Sequence, residues 1–153
     1  MPDRNDYVIP REGGAVLTYG TGAAGSIPAT MNTIGCPRSA NFNRSVNQVD
    51  DNFSNWCVAQ DAGGTIAGFT PGTVQYEGSV VYEMILDEAA YLAMKTDVGV
   101  NYAWIGRTLS DVDAANTTNE SWGGYLTGFN EQLPESGPAS VSANFRANEI
   151  IIP

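Results

Sequence analysis

Three stretches of this chain alternate apolar and polar residues with a period of two, a pattern that fits half-buried β-strands and little else. In residues 38–48, Ala40, Phe42 and Val46 fall on one face and Ser39, Asn41, Asn43, Ser45 and Asn47 on the other. In residues 73–86, Val74, Tyr76, Val80, Tyr82, Met84 and Leu86 oppose Thr73, Gln75, Glu77, Ser79 and Glu83. In residues 139–148, Ala139, Val141, Ala143, Phe145 and Ala147 oppose Ser140, Ser142, Asn144, Arg146 and Asn148, before the chain runs into Ile150-Ile151-Ile152. A one-residue slip would turn every apolar side chain of such a strand to solvent, so register is tightly specified. Arg44 interrupts the apolar face of its strand and is expected to snorkel or to sit at an edge.

The remaining elements are shorter. Ala15–Tyr19 reads as a strand stopped by Gly20, and 20–37 as a Gly/Ala/Thr/Pro loop with a short strand near Met31 to Ile34. Tyr102–Leu109 and Trp122–Leu133 are further strands, with a polar, turn-like stretch from Ser110 to Ser121 between them. The spacing predicts one helix from Asp87 to about Thr96. Its two leading acids suit the positive helix N-terminus, and Leu86, Ala89, Leu92 and Ala93 form its apolar stripe. Lys95 in the last turn and Gly99 beyond it mark the stop. Residues 1–13 read as an extended arm. Residues 49–72 read as a long loop carrying Asp50, Asp51, Phe53, Trp56 and Phe69, residues of a size that implies packing against its own domain or a neighbour. The length of 153 residues suits a single domain, 1–153.

Charge and composition exclude several functions. The net charge of -10, with only seven Lys and Arg and those scattered, argues against adhesive binding to nucleic acid, which needs clustered cations. The chain has no histidine, so common zinc sites and Ser-His-Asp or Cys-His catalysis are not available to it. Its single lysine, Lys95, lies at a helix end and is a poor Schiff-base candidate. Paired carboxylates could in principle form a glycosidase site, but nothing in the pattern selects a pair. No catalytic, cofactor or metal residue is therefore assigned. Cys36 and Cys57 are expected to be small buried hydrophobes; a bridge between them is compatible with the count but not implied by it. Neither a signal peptide nor a membrane-spanning apolar run is evident, and the sequons at Asn43, Asn52, Asn116 and Asn119 are then incidental. Gly20-Thr21-Gly22-Ala23-Ala24-Gly25 matches a dinucleotide fingerprint in letters only, because Pro28 stands where the following helix should run. Asp111-Val112-Asp113 lacks the glycine and the final acid of a calcium loop and reads as a solvated turn.

The strands 38–48 and 139–148 pair Ala and Phe on one face with mainly Ser and Asn on the other. Exposed strands usually carry Lys, Glu and Thr, so a Ser/Asn face suits a smooth surface that touches a channel or ligand without gripping it. The run Tyr76-Glu77-Gly78-Ser79-Val80-Val81-Tyr82-Glu83-Met84-Ile85-Leu86-Asp87-Glu88-Ala89-Ala90-Tyr91-Leu92 resembles the strand-then-helix core of bacteriophage tail tube proteins (major tail proteins). Asn101-Tyr102-Ala103-Trp104-Ile105 and Gly123-Gly124-Tyr125-Leu126-Thr127-Gly128-Phe129 also look like that family, and the similarity of layout runs from about Pro10 to the end.

The resemblance implies a mainly β fold: a β-sandwich or partial barrel of two antiparallel sheets with one flanking helix. It implies a non-enzymatic subunit that joins copies of itself into hexameric rings stacked as a tube, with the long loop 49–72 and the chain's arms bridging rings. Double-stranded DNA and the tape-measure protein would pass through the lumen without specific binding. Other tail proteins would be neighbours, no membrane or cofactor would be involved, and the product would be a virion tail assembled in the host cytoplasm. On that reading the lumen is lined by Asn41, Asn43, Ser45, Asn47, Ser142, Asn144 and Arg146, and the acidic balance keeps DNA from adhering. Arg146 is discordant there and is expected to pair with Glu77, Glu131 or an acid of the next subunit. Asp50, Asp51, Phe53, Trp56 and Phe69 are the inter-ring candidates. The competing readings are a carbohydrate-binding module stacking sugars on Trp56, Trp104 and Trp122, and a capsid-decoration protein or other tail component.

Overall fold

A computed structural model describes residues 3–50 and 69–153. The strands are β1 (Ala15–Thr21), β2 (Asn32–Thr33), β3 (Pro37–Asp50), β4 (Phe69–Glu83), β5 (Ala103–Ser110), β6 (Thr117–Gln132) and β7 (Ser140–Ile151), and the helix α1 spans Ala89–Asp97. All seven strands form one antiparallel sheet in the order β2-β1-β5-β6-β7-β4-β3. The expected pair of sheets is thus a single hydrogen-bonded ladder that bends back on itself. The bend is visible in contacts across the fold: Phe42 on β3 meets Trp122 on β6, three places away in strand order, edge-on at 5.1 Å between ring centroids. Two irregularities in the β6–β7 ladder allow the turn, one with the extra residue Asn148 in β7 opposite Gly123 and Gly124 and one with the extra residue Thr127 in β6, since extra residues bend and twist a strand.

The period-two stretches behave as their patterns dictate. Val80, Tyr82, Val141, Ala143 and Phe145 are buried on the concave side, with Leu17, Tyr19, Ile105, Trp122 and Leu126 from the other strands. Each buried aromatic removes about 150–250 Å² from water, roughly 4–6 kcal/mol gross at about 25 cal/mol/Å². The tyrosine hydroxyls inside are not left bare. Tyr19 donates to Asp97 at 2.9 Å, and Tyr82 donates to the Met94 sulfur at 3.2 Å.

Several boundaries differ from the expectation. β4 stops at Glu83, where the Met84 N–H donates to Ala139 and a tight turn (Glu88 N–H to Ile85 O, 3.1 Å) redirects the chain into the helix. β6 begins at Thr117, inside the stretch expected to be turn. Its polar residues there pair across the ladder, Thr108 with Asn119 at 2.7 Å and Ser110 with Thr117 at 3.2 Å, so side-chain hydrogen bonds stand in for an apolar alternation. The N-terminal arm contains two 3-10 turns, Arg4–Asp6 and Pro10–Glu12, instead of running fully extended. Cys36 is exposed, not buried, because it occupies the turn between β2 and β3 with φ +48°. Cys57 lies outside the described residues.

The helix presents the largest departure. Ala90, Tyr91, Met94 and Asp97 face the core, while Leu86, Ala89 and Leu92, most of the expected apolar stripe, are exposed. The larger Tyr91 and Met94 take the inner side, and Asp97 is carried in with them. Tyr19, Thr21 and Asn101 donate to its carboxylate, so its burial leaves no unmet acceptor. Gly99 ends the helix at φ +68°, as its position foretells.

Candidate functional site: a small-polar face between two bare strand edges

The convex side of β3, β4, β7 and the far half of β6 carries rows of small polar residues at matched heights. Residues directly opposite in a ladder point to the same side. One row runs Asn41, Ser79, Asn144, Gly128; the next runs Asn43, Glu77, Arg146, Tyr125; a third runs Ser39, Val81, Ser142, Asn130. Ser45 faces Gln75 beyond them. Asn41, Asn43, Asn144 and Arg146 border one shallow depression of about 530 Å³ with Glu77, Ser79 and Thr127. The lumen candidates Asn41, Asn43, Ser45, Ser142, Asn144 and Arg146 therefore share a face. Asn47 stands apart from them, at an irregularity between Val46 and Gln48. Gln75, Glu77, Ser79 and Thr127 were not among the candidates. For the three β4 residues the same alternation held the signal, but only strand order reveals that β4 lies between β3 and β7. Of the acids expected to meet Arg146, Glu77 is its register partner, whereas Glu131 accepts from Tyr91 at 3.3 Å and pairs with Lys95 at 3.9 Å. Among the described residues Arg146 makes no ion pair within 4.0 Å.

Among the described residues, this face ends on both sides at unpaired strand borders, and β3 pairs with β4 alone. β5 accompanies β6 only as far as Gly124, so residues 125–132 pair with β7 and leave their other border largely bare, apart from the Gly99 N–H bonded to Leu126 O at 3.0 Å. Open borders invite pairing with another chain.

The β3–β4 hairpin also outruns the sheet. β7 reaches β4 no further than Tyr76, so the ends of both strands, up to Asp50 opposite Phe69, continue as a two-stranded ribbon. The expected loop is correspondingly shorter at both ends. Asp50 and Phe69 are the last described residues of the ribbon's arms, and Asp51, Phe53 and Trp56 lie outside the described residues.

Across the concave side, an ionic clasp holds edge strand β3 in place. Glu120 on β6 accepts from Arg44 of β3, from Arg107 of β5 at 2.6 Å and from the Trp122 indole at 3.2 Å. Arg44 lies 5.6 Å above the Trp122 ring and Arg107 4.9 Å above Phe42. Arg44 thus stays on the apolar face and meets a partner there. Burial pushes the Glu120 carboxyl upward, but the hydrogen bonds from Arg44 and Trp122 and the charges of both arginines outweigh it, and its pKa lies below the ordinary value.

The remaining motifs are structural. Residues 22–31 fold over β5, where Trp104 Nε1 donates to Ala23 O at 3.0 Å and the Gly25 N–H donates to Glu149 at 2.6 Å. The glycine-rich stretch covers a tryptophan; it does not open a helix. Gly123 must lack a side chain, since a Cβ there would lie 2.8 Å from the Trp104 ring. Asp111 accepts from the Asn116 backbone and side chain and closes a turn. Trp104 and Trp122 are both fully buried, which removes two of the three rings a sugar-binding module would use.

Solved tail tube structures share the fold of this open antiparallel sheet with its packed helix. The SPP1 tail tube subunit superimposes with a TM-score of 0.69 at 11% identity, covering 91% of this chain and 76% of that one. A gene transfer agent tail refined with C6 symmetry gives 0.60 at 12% identity over 92% of this chain and 96% of that one. An extracellular contractile injection system, in its PVC sheath–tube complex, gives 0.58 at 10% identity over 91% and 87%. No protein-family model and no curated protein sequence matches the chain. The chain has the tail tube fold.

Proposed function

We propose that this chain is the structural subunit of a tail tube and works by assembly, without catalysis. The observation that carries this reading is the small-polar face stretching over four adjacent strands from one bare border to another. β3 and β6 run in opposite directions, so a rotation that sets β3 of one copy beside residues 125–132 of the next continues the antiparallel ladder. Repeated around an axis, this heterologous contact closes a ring. Six copies is the expected number, in keeping with the C6 symmetry of the gene transfer agent tail. The small-polar face then lines the bore, with Asn41, Asn43, Ser45, Ser142, Asn144 and Arg146 facing the lumen.

Such a wall passes double-stranded DNA and a tape-measure protein because it offers nothing to hold them. On this face Glu77 stands opposite Arg146 and Glu83 pairs with Arg38 at 3.3 Å, so the wall is close to balance where the overall composition suggested a negative one. Strong binding to phosphates needs clustered cations, and here neutral amides and hydroxyls predominate. The projecting ribbon, residues 51–68 and the chain's arms link successive rings, and other tail proteins meet the tube's ends. The assembly belongs in the virion tail and forms in the host cytoplasm.

Sedimentation and negative-stain electron microscopy of the purified protein test this reading. Hollow six-fold rings or tubes that grow with concentration are expected. A monomer that persists at high concentration and in molecular crowders would refute it.

A further inference from the structure

We infer that the ring contact has a single register, in which Phe42, Arg44 and Val46 of one copy stand opposite Leu133, Glu131 and Phe129 of the next; this rests on the ring reading above. Backbone bonding shows which residues face each bare border. The Glu83 N–H donates to Cys36 O at 3.1 Å and the Met84 N–H to Ala139 O at 2.9 Å. Odd-numbered residues of β4 therefore turn their backbone groups to β3 and even-numbered ones to β7. The odd-numbered residues of β3 answer β4, which leaves Ala40, Phe42, Arg44 and Val46 with N–H and C=O aimed at the bare border. Carried through β7, the same alternation spends Asn130 and Gln132 on β7 and aims Phe129 and Glu131 outward. Leu126 faces outward too, as its bond from the Gly99 N–H shows.

Outward-facing residues bond only to outward-facing residues, so the allowed registers differ in steps of two. Between the two irregularities of β3, Arg44 is the one charged residue of the outward set, flanked by Phe42 and Val46. On β6, Glu131 is flanked by Phe129 and, one step on, Leu133. Setting Glu131 opposite Arg44 brings the exposed Val46 opposite Phe129, and Leu133, 79% exposed, opposite Phe42, where Leu17 and Leu109 extend an apolar cleft. Every other step along that stretch sets Glu131 opposite an apolar side chain. Arg44 gives its Nη2 to Glu120 and keeps further N–H donors for a second acid. The upper ends agree as well. β3 is irregular just past Val46, and β6 just before Phe129, where the Leu126 carbonyl is already taken, so both strands stop at the same pair. On the convex side Ser45 then meets Asn130 and Asn43 meets Gln132, which carries the small-polar face across the seam. Within one subunit Phe129 stands level with Ala40, so the register also supplies the stagger that closing a barrel requires.

Disulfide trapping reads the register. With Cys36→Ser and Cys57→Ser as background, Ser45→Cys combined with Asn130→Cys, both at exposed positions, should give a ladder of covalent oligomers on mild oxidation. Asn43→Cys combined with Asn130→Cys, two residues out of step and too far apart for a disulfide, should not. Leu133→Asp should keep the wild-type circular dichroism and melting temperature and lose rings. Wild-type rings with a ladder from the Asn43 combination, or from neither combination, would overturn this register and leave the tube reading standing; so would normal rings from Leu133→Asp. Absence of any wild-type assembly would overturn both.

Discussion

Glu120→Gln isolates the clasp that holds β3 over the concave side. The substitution keeps volume and one carbonyl for the Trp122 indole but removes the charge that Arg44 and Arg107 share. A hydrogen bond to a charged group contributes about 1.5–3 kcal/mol. The Arg107 side chain is 20% exposed and should fall within that range, whereas Arg44 is 46% exposed and its pairing is screened to about 0.5–1 kcal/mol. The expected loss is therefore about 3 kcal/mol. In urea, with a slope of about 2 kcal/mol/M, the unfolding midpoint should fall by about 1.5 M.

The pH dependence has a definite sign. The folded pKa of Glu120 is depressed, so its contribution is complete above the ordinary carboxylate range and is lost as pH falls through the folded value. The stability gap between wild type and Glu120→Gln should close in acid. A gap below about 0.5 kcal/mol at neutral pH, the usual scatter for surface changes, would show that the clasp is ornamental. A gap that persists unchanged in acid would show that packing, not charge, is responsible.

Gly124→Ala should prevent folding or cost at least the 1–3 kcal/mol or so typical of overpacking, because its Cβ would stand 2.0 Å from Arg146 O; a wild-type melt would contradict the close approach. In a Trp56→Phe variant, emission from Trp104 and Trp122 should be blue-shifted, resist iodide and ignore added oligosaccharides, since both rings are fully buried; a glycan-induced change would revive the sugar-binding alternative. Replacing residues 51–68 with a short Asn-Gly turn should leave folded subunits that close into rings but do not stack, and intact tubes from it would remove the hairpin's inter-ring role.

Much of this architecture is legible in the chain's alternation. Parity alone places Asn41, Asn43, Asn144 and Arg146 away from the core, and the Gly99 stop fixes the helix end. What parity cannot give is adjacency. That β4 lies between β3 and β7, setting Glu77 opposite Arg146, follows from strand order, and strand order is decided by long-range packing. The same limit hid the clasp: Arg44 looks like an interruption until the sheet bends and brings Glu120 to it. The helix misled for another reason. Leu86, Ala89 and Leu92 do form an apolar stripe, but Tyr91 and Met94 fill the core better, and the hydrogen bonds to Asp97 make the inner face tolerable. The first turns of β6 were obscured because Thr117–Glu120 pair through polar side chains, which carry no periodic hydrophobic signal.

A cryo-electron reconstruction of assembled particles bears most directly on the account, because it reads which side of the sheet faces the axis. A six-fold hollow wall is expected, with Asn41, Asn144 and Arg146 pointing inward and β3 joined to residues 125–132 of its neighbour. A tube whose bore is lined by any other surface, or rings joined with both strand borders still bare, would contradict it.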